Sequence, residues 1–304
     1  MFTFAHLSDP HLPLPAVRWR ELLSKRATGW LSWRQRRQFI HRPEALAAAL
    51  ADLRAARPDH IVVTGDIANI STLAEFRQAA DWLGKLGPPA DVTVAPGNHD
   101  AYVAGGLEDC REHWGSYMAG DGAAAGFPAV RRRGPVAFVS LSTAVPTPVF
   151  VAAGRLGDAQ IARFEKAMRA LAGEGLCRVV LIHHPPQKGG ASRRKGLSDA
   201  EAFRATVARV GAELVLHGHN HRTLLARIET PDGPVPVLGA ASASAAPGTV
   251  VPGGYNLIRV STTEGGWALD VEVRAIRDDL TGCIPAQRFR LLAPRPAVLS
   301  SRAA

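Results

Sequence analysis

The sequence predicts an α/β fold in which parallel strands alternate with helices. Short apolar, β-branched runs recur along the chain, each broken at once by a cluster of Gly, Pro, Asp, Asn or His. Longer stretches of helical period, such as 43–56 and 158–172, lie between them. Strands separated by helices run parallel, so their C-terminal ends share one edge, which is where open α/β sheets place their chemistry.

Composition sets the limits. The 304 residues, 46% of them hydrophobic, can bury a substantial core. No apolar run approaches the ~20 residues that span a bilayer. Met1-Phe2-Thr3-Phe4 reads as a strand, without the features of a signal peptide, so the expected location is the cytoplasm. Cys110, Cys177 and Cys283 are scattered, which argues against a disulfide framework and against a Cys-based zinc site. The net charge of +9 favours polyanionic partners, although high Arg usage also follows genome composition.

Taken in order, Thr3–Ser8 is the first strand and ends in Asp9-Pro10-His11. Asp9 and His11 are two apart and can bind one ion together, or form only an Asx turn. Residues 17–42 set eight cations against the single acid Glu21, with Trp19, Trp30 and Trp33 at roughly helical spacing. Two basic, amphipathic helices around Gly29 are expected, suited either to an anionic membrane interface or to a cap with solvated arginines. A helix runs from Pro43 to about Ala56, with proline fit for its first turn. The strand Asp59–Thr64 ends in Gly65-Asp66, and Ser71 caps a helix reaching about Leu86. The strand Asp91–Ala95 ends in Gly97-Asn98-His99-Asp100.

A helix at 105–119, a loop at 120–128 and a strand at Val136–Leu141 follow. Asp158 caps an amphipathic helix to about Ala172 with Ile161, Phe164, Met168 and Leu171 on one face. The strand Cys177–Ile182 ends in His183-His184-Pro185-Pro186, and the basic loop 187–196 carries Lys188, Arg193 and Arg194. Helix 198–210 leads to the strand Ala212–Leu216, which ends in Gly218-His219-Asn220-His221. Four strands at 223–230, 234–239, 254–261 and 266–276 read as an antiparallel meander completing the same domain, 1–280. Residues 281–304 show no pattern and read as a C-terminal extension.

Five strands therefore run out into polar clusters: Asp9/His11, Asp66, Asn98/His99, His183 and His219/His221. The inventory is nitrogen and oxygen without sulfur, which suits Mn, Fe, Co, Ni or Zn. Seven ligands exceed the needs of one tetrahedral ion, so two ions sharing a carboxylate is the economical assignment. His6 and His217 lie in or at the end of strands and read as structural, and Asn69 as a turn residue or a support for the site.

Together these five blocks resemble the signature blocks of the calcineurin-like metallophosphoesterases, in family order over residues 9–221. Gly-Asp-Ile-x-Asn, His-His-Pro-Pro and Gly-His-Asn-His are most similar to the bacterial class III cyclic-nucleotide and glycerophosphodiester phosphodiesterases. The resemblance implies a four-layer α/β/β/α sandwich of two mixed sheets and two divalent metal ions (Mn, Fe, Co or Zn). It implies that Asp9, His11, Asp66 and His221 hold one ion, and Asp66, Asn98, His183 and His219 the other. His183 is preferred over His184. His99 is then the catalytic proton donor and Asp100 fixes its tautomer, while His184, Lys188, Arg193 and Arg194 are candidate substrate contacts.

The expected activity is phosphodiester hydrolysis by a metal-activated hydroxide. The basic insertion at 17–42 favours, as the alternative, a hydrolase of a lipid-linked (di)phosphate such as a nucleotide-diphospho-lipid, peripheral at the inner membrane face. A nuclease is disfavoured, because Ala68-Asn69 stands where DNA-repair relatives carry a second acid. A metal-free binding scaffold of the same fold requires broken ligands, and none is broken. The sequence leaves the oligomeric state open.

Overall fold

The computed structural model describes residues 1–122 and 126–294. Strand β1 (Phe2–Leu7) is buried from Phe4 onward, and β2 (His60–Val63) and β3 (Val92–Val94) are buried throughout. Strands buried on both faces need a layer on each side. β1 pairs parallel with β2 at Phe4↔His60 to Leu7↔Val63, and β2 parallel with β3. On its other edge β1 pairs antiparallel with β10 (Gly254–Thr263), followed by β11 (Gly266–Ile276) and β12 (Cys283–Pro294). The second sheet has the order β4-β5-β6-β7-β9-β8. In it β5 (Val136–Ser140), β6 (Cys177–Leu181), β7 (Leu214–His217) and β9 (Val235–Gly239) are parallel. β4 (Ala129–Arg133) and β8 (Leu225–Ile228) close its edges antiparallel.

Alternation of side chains along each strand divides the core into layers. Phe4, Val62, Ile258, Phe138, Val179 and Leu216 meet between the sheets, with Phe4 and Phe138 edge to face at 5.2 Å. Ala5, Leu7, Ile61 and Val63 point the other way, onto α3 (Pro43–Ala56), α4 (Leu73–Leu86) and α5 (Gly106–Met118). Val139, Val180 and Val215 pack on α6 (Asp158–Ala172) and α7 (Ala200–Val210). The result is the α/β/β/α sandwich, with β1–β3 and β5–β7 ending at the same rim.

Several local expectations differ. Thr72, not Ser71, caps α4, because Glu75 then stands at the third helical position and completes a capping box. Gly157 rather than Asp158 is the N-cap of α6. The strands at 223–276 do not form one meander, since β8 and β9 join the second sheet while β10 and β11 join the first. The extension is not patternless, for β12 pairs with β11 along its length and forms the edge of the first sheet. Within 120–128, residues 123–125 lie outside the described residues, as does 295–304.

The insertion at 17–42 comprises a 3₁₀ turn at Trp19–Leu22, α1 (Arg26–Ser32), a π-helical turn at Trp33–Arg37 and α2 (Gln38–Ile40). Gly29 does not separate two helices; it lies inside α1 and is buried. A Cβ there would come within 2.9 Å of Tyr102 Oη and would collide with Ile70, so the glycine lets α1 sit directly on the domain. Trp33 is buried, and Arg26 donates to the carbonyls of Ile70 and Ser71. Lys25 donates to Thr147.

Candidate metal centre

Each strand end turns sharply to aim its polar side chain at one point. Asp9, His11, Asp66, His219 and His221 all have positive φ, between 37° and 68°. Non-glycine residues hold this conformation at a cost of order 1–3 kcal/mol each, tolerated where the surroundings enforce it and typical of functional sites. The Asp66 loop is enforced by Asp100, whose carboxylate accepts from the amides of Asp66, Ile67, Ala68 and Gly97 at 2.8–2.9 Å. A Cβ on Gly97 would collide with Asp66 and lie 2.8 Å from His183, so glycine is required for these two to meet.

The gathered side chains form two groups around Asp66. In one, His221 Nε2 lies 3.2 Å from Asp9 Oδ1 and 3.2 Å from His11 Nε2. In the other, Asn98 Oδ1 lies 3.2 Å from His183 Nε2 and 3.0 Å from His219 Nδ1. Asp66 Oδ2 is 3.9 Å from His11 Nε2 and 3.3 Å from His183 Nε2. The structure thus brings all seven expected ligands together, and Asp66 lies between the groups.

The donors fit divalent cations on two counts. His183 Nδ1 is 2.6 Å from the Thr64 carbonyl and His11 Nδ1 is 3.3 Å from that of Ala68. A carbonyl only accepts, so His183 holds a proton on Nδ1 and turns Nε2 inward, the nitrogen that metal-binding histidines use once it is free of its own proton. Asp9 Oδ1 and His219 Nε2 are also buried without a hydrogen-bond partner, a state polar atoms avoid unless something else satisfies them. Electrostatics agree. Burial works against the Asp66 charge, yet His183 and His99 hold its carboxyl well below the usual carboxylate range. Burial also lowers His183, but the Asp66 carboxylate outweighs it and raises the imidazole to about 9. His219 is pushed down to about 3 by burial and by His183.

Three expectations about the surrounding residues need correction. Asp100 does not orient His99, because its oxygens are committed to backbone amides; His99 Nδ1 instead faces the Asn69 carbonyl at 2.5 Å. His184 is no substrate contact: it is buried, with Nδ1 2.7 Å from Thr143 Oγ1 and Nε2 3.1 Å from the Ala152 carbonyl. Of the two neighbours, His184 has both nitrogens engaged, while His183 turns Nε2 toward Asp66 and Asn98. Lys188, Arg193 and Arg194 are exposed on the 187–196 loop. Lys188 and Arg193 line a hollow with Arg204, and none of the seven ligands lines it.

The insertion contributes two side chains that sequence reasoning missed. The Arg37 guanidinium lies 2.7 and 2.9 Å from the two nitrogens of His11, and 3.3 Å from both of His99. It spans these rings rather than following one lone pair. One turn later His41 is buried, with its ring 4.5 Å from that of His11. The signal was their i, i+4 spacing, which puts both on one helix face. It was masked by the surrounding arginines, which read as a solvated surface.

Comparison with known proteins agrees with this geometry. The model of the calcineurin-like phosphoesterase family matches residues 2–223. The chain belongs to that family. It is 26% identical to a probable cyclic nucleotide phosphodiesterase of Synechococcus over 182 residues, 59% of this chain and 64% of that protein. The chain thus matches somewhat under two thirds of that relative's length. Among solved structures it is similar in fold to a dimetal phosphatase from Danio rerio, with a TM-score of 0.57 at 14% identity over 93% of this chain and 98% of that one. The purple acid phosphatase PPD1 of yellow lupin gives 0.61 at 11% identity, over 95% of this chain and 53% of that one.

Proposed function

We propose that this phosphoesterase hydrolyses phosphodiesters at a dinuclear centre. Asp9, His11, Asp66 and His221 would hold one ion, and Asp66, Asn98, His183 and His219 the other. The position of Asp66 carries the reading: one carboxylate oxygen faces His11 on one side and His183 on the other. The sulfur-free donor set suits Mn, Fe, Co or Zn. When bound, two such ions would lower the pKa of a shared water toward ~7 and neutralise the attacked phosphoryl oxygens.

The chain's own residues supply the rest. His99 keeps its Nδ1 proton on the Asn69 carbonyl, and its Nε2 lies 3.3 Å from the Arg37 guanidinium. Burial and the Arg37 charge hold it down to about 4, so it is neutral before substrate arrives. An anionic diester that draws Arg37 onto a phosphoryl oxygen removes the second of these causes and adds a negative charge beside the ring. His99 can then carry the proton needed by the departing oxygen. Arg37 provides a planar cation matched to phosphoryl oxygens.

The test is hydrolysis of bis(p-nitrophenyl) phosphate by Mn-loaded protein. We expect His99→Ala to lower turnover about 10²–10⁴-fold, the usual range for a proton-transfer group. Wild-type protein that holds two metals yet cleaves only p-nitrophenyl phosphate would instead be a monoesterase. Protein that binds no metal would be a scaffold.

A second reading, a lipid-linked substrate at an anionic membrane, is favoured by the insertion. No helix among the described residues is long and apolar enough to cross a bilayer. However, Trp19, Leu23 and Phe39 are 67, 76 and 64% exposed, beside exposed Arg18, Arg20, Arg34 and Arg36. Phe150, 83% exposed, lies on the segment tethered to the insertion through Thr147 and Lys25. Large apolar side chains among arginines suit the headgroup boundary, where each cation near an anionic surface contributes about 1 kcal/mol. Sedimentation with phosphatidylglycerol vesicles tests this. Binding that Phe39→Asp and Arg36→Gln weaken would favour a lipid-linked diester or diphosphate, whereas no binding would remove that reading.

A further inference from the structure

The seven ligands above all lie in the five motif loops. We infer that His41, delivered by the insertion, is an additional nitrogen ligand of the ion held by Asp9, His11, Asp66 and His221. The inference rests on the dinuclear reading and extends it to a residue outside the family's motif blocks.

The backbone at His41 is fixed from both sides. Its amide donates to the Arg37 carbonyl at 2.8 Å, and it forms an antiparallel bridge with Ala245. Arg42 N donates to the Ser244 carbonyl and Ala246 N to that of Ile40. The side chain is 3% exposed, and its ring lies 4.5 Å from His11 and 5.2 Å from His221. One ligand atom from each of these three histidines falls within 4.8 Å of the others. That spread is close to the separation of donors around one ion with metal–nitrogen bonds of ~2.1 Å.

The hydrogen bonds also define which nitrogen is available. His41 Nδ1 is 3.0 Å from Ser244 Oγ and 3.2 Å from Ser242 Oγ. Ser242 Oγ donates its own proton to the Asp9 carbonyl at 2.7 Å, so toward His41 it accepts. With Nδ1 engaged by the two serine hydroxyls, Nε2 is the nitrogen left for a cation. No donor among the described residues reaches that Nε2. His184, by contrast, has both nitrogens engaged. The same Ser242 hydroxyl thus ties His41 to the backbone of Asp9, a ligand of the same ion. Supporting contacts of this kind fix the orientation of metal-binding histidines.

The experiment titrates chelator-stripped, full-length protein with Co(II) alone, following affinity by calorimetry and coordination by visible absorption. His41→Phe fills the volume without a donor. His41→Asn keeps an N–H near the Nδ1 position for the serines and removes the inward nitrogen, so it guards against misfolding. We expect wild type to bind two ions. Both variants should weaken one of them by about 10–100-fold or more, since losing even a supporting contact has that effect. They should also change the ligand-field spectrum, with thermal unfolding of metal-free His41→Asn close to wild type. Unchanged affinity and spectrum in both variants would overturn the assignment and leave the dinuclear reading intact. Affinity restored in His41→Asn but not in His41→Phe would overturn it in favour of a packing role. Wild type that binds no Co(II) would overturn the dinuclear reading, and this assignment with it.

Discussion

The two ends of the parallel strands treat polar groups in opposite ways. At their starts, Arg178 on β6 and Glu213 just before β7 are both 1% exposed and fully engaged. Glu213 accepts from the Arg178 amide at 2.5 Å and from Nε and Nη2 at 3.0 and 2.8 Å, and Nη1 donates to the Val210 carbonyl. At their ends, the same two strands run into His183 and His219. There the candidate ligands Asp9, His11, Asp66, His219 and His221 adopt positive φ, and Asp9 Oδ1 and His219 Nε2 lack a hydrogen-bond partner, although His221 Nε2 lies 3.2 Å from Asp9 Oδ1. One end is closed by internal pairing. The other holds its polar atoms open for something that is not protein, at a cost in stability.

Substitutions can break this comparison. The largest effect should come from Asp66→Asn, which keeps the acceptor for the His99 amide but removes the charge shared by both groups. Diester turnover should fall by more than about 10³-fold, the loss that removing a single electrostatic stabiliser can reach. Urea midpoints of the metal-free protein should fall only by the loss of the Asp66–His183 pair, less than in Glu213→Ala, and an equal or larger destabilisation would contradict the picture of an open end. Glu213→Ala should do the reverse. It leaves a buried guanidinium uncompensated and should lower unfolding stability by about 3–5 kcal/mol. The kcat of protein still folded should be unchanged, and a fall in kcat would show that the two ends are coupled.

Smaller effects sharpen the contrast. In metal-free protein His183, raised to about 9 by Asp66, holds a proton that a cation must displace. Raising the pH removes this competitor, so metal affinity should increase by up to about tenfold per unit until near pH 9 and then level off. Calorimetric titration from pH 6.5 to 9.5 checks the sign; affinity that falls over this range would refute it. Arg37→Met should be milder still. Losing one charge-assisted contact of about 1.5–3 kcal/mol corresponds to a tenfold to hundredfold fall in kcat/KM. Inhibition by inorganic phosphate should weaken in parallel, and unchanged inhibition would show that Arg37 does not meet the phosphoryl group.

Residue by residue, legibility followed locality. Asp9, His11, Asp66, Asn98, His183, His219 and His221 could be read because each closes its own apolar run, and a strand end is a local pattern. The order of sheets implied by the family resemblance holds for the same reason. Other features depended on distant partners. β12 was missed because its apolar residues, such as Phe289 and Leu291, are interrupted by Arg and Pro, and only pairing with β11 shows which face they cover. Asp100 was assigned to His99 on adjacency, but its carboxylate serves four amides, three of them more than 30 residues away in the chain.

By itself the sequence determined the α/β alternation, the metal-binding chemistry of five strand ends and, through their order, the family. Only the tertiary structure separates the surroundings of His183 and His184, because both precede prolines and the Thr143 and Ala152 contacts engage both nitrogens of His184. It alone divided the basic insertion, turning Arg37 and His41 into the centre and leaving Arg18, Arg20, Arg34 and Arg36 at the surface. Charge and spacing name what a side chain can do; which way it faces is set by packing against residues far away in the chain.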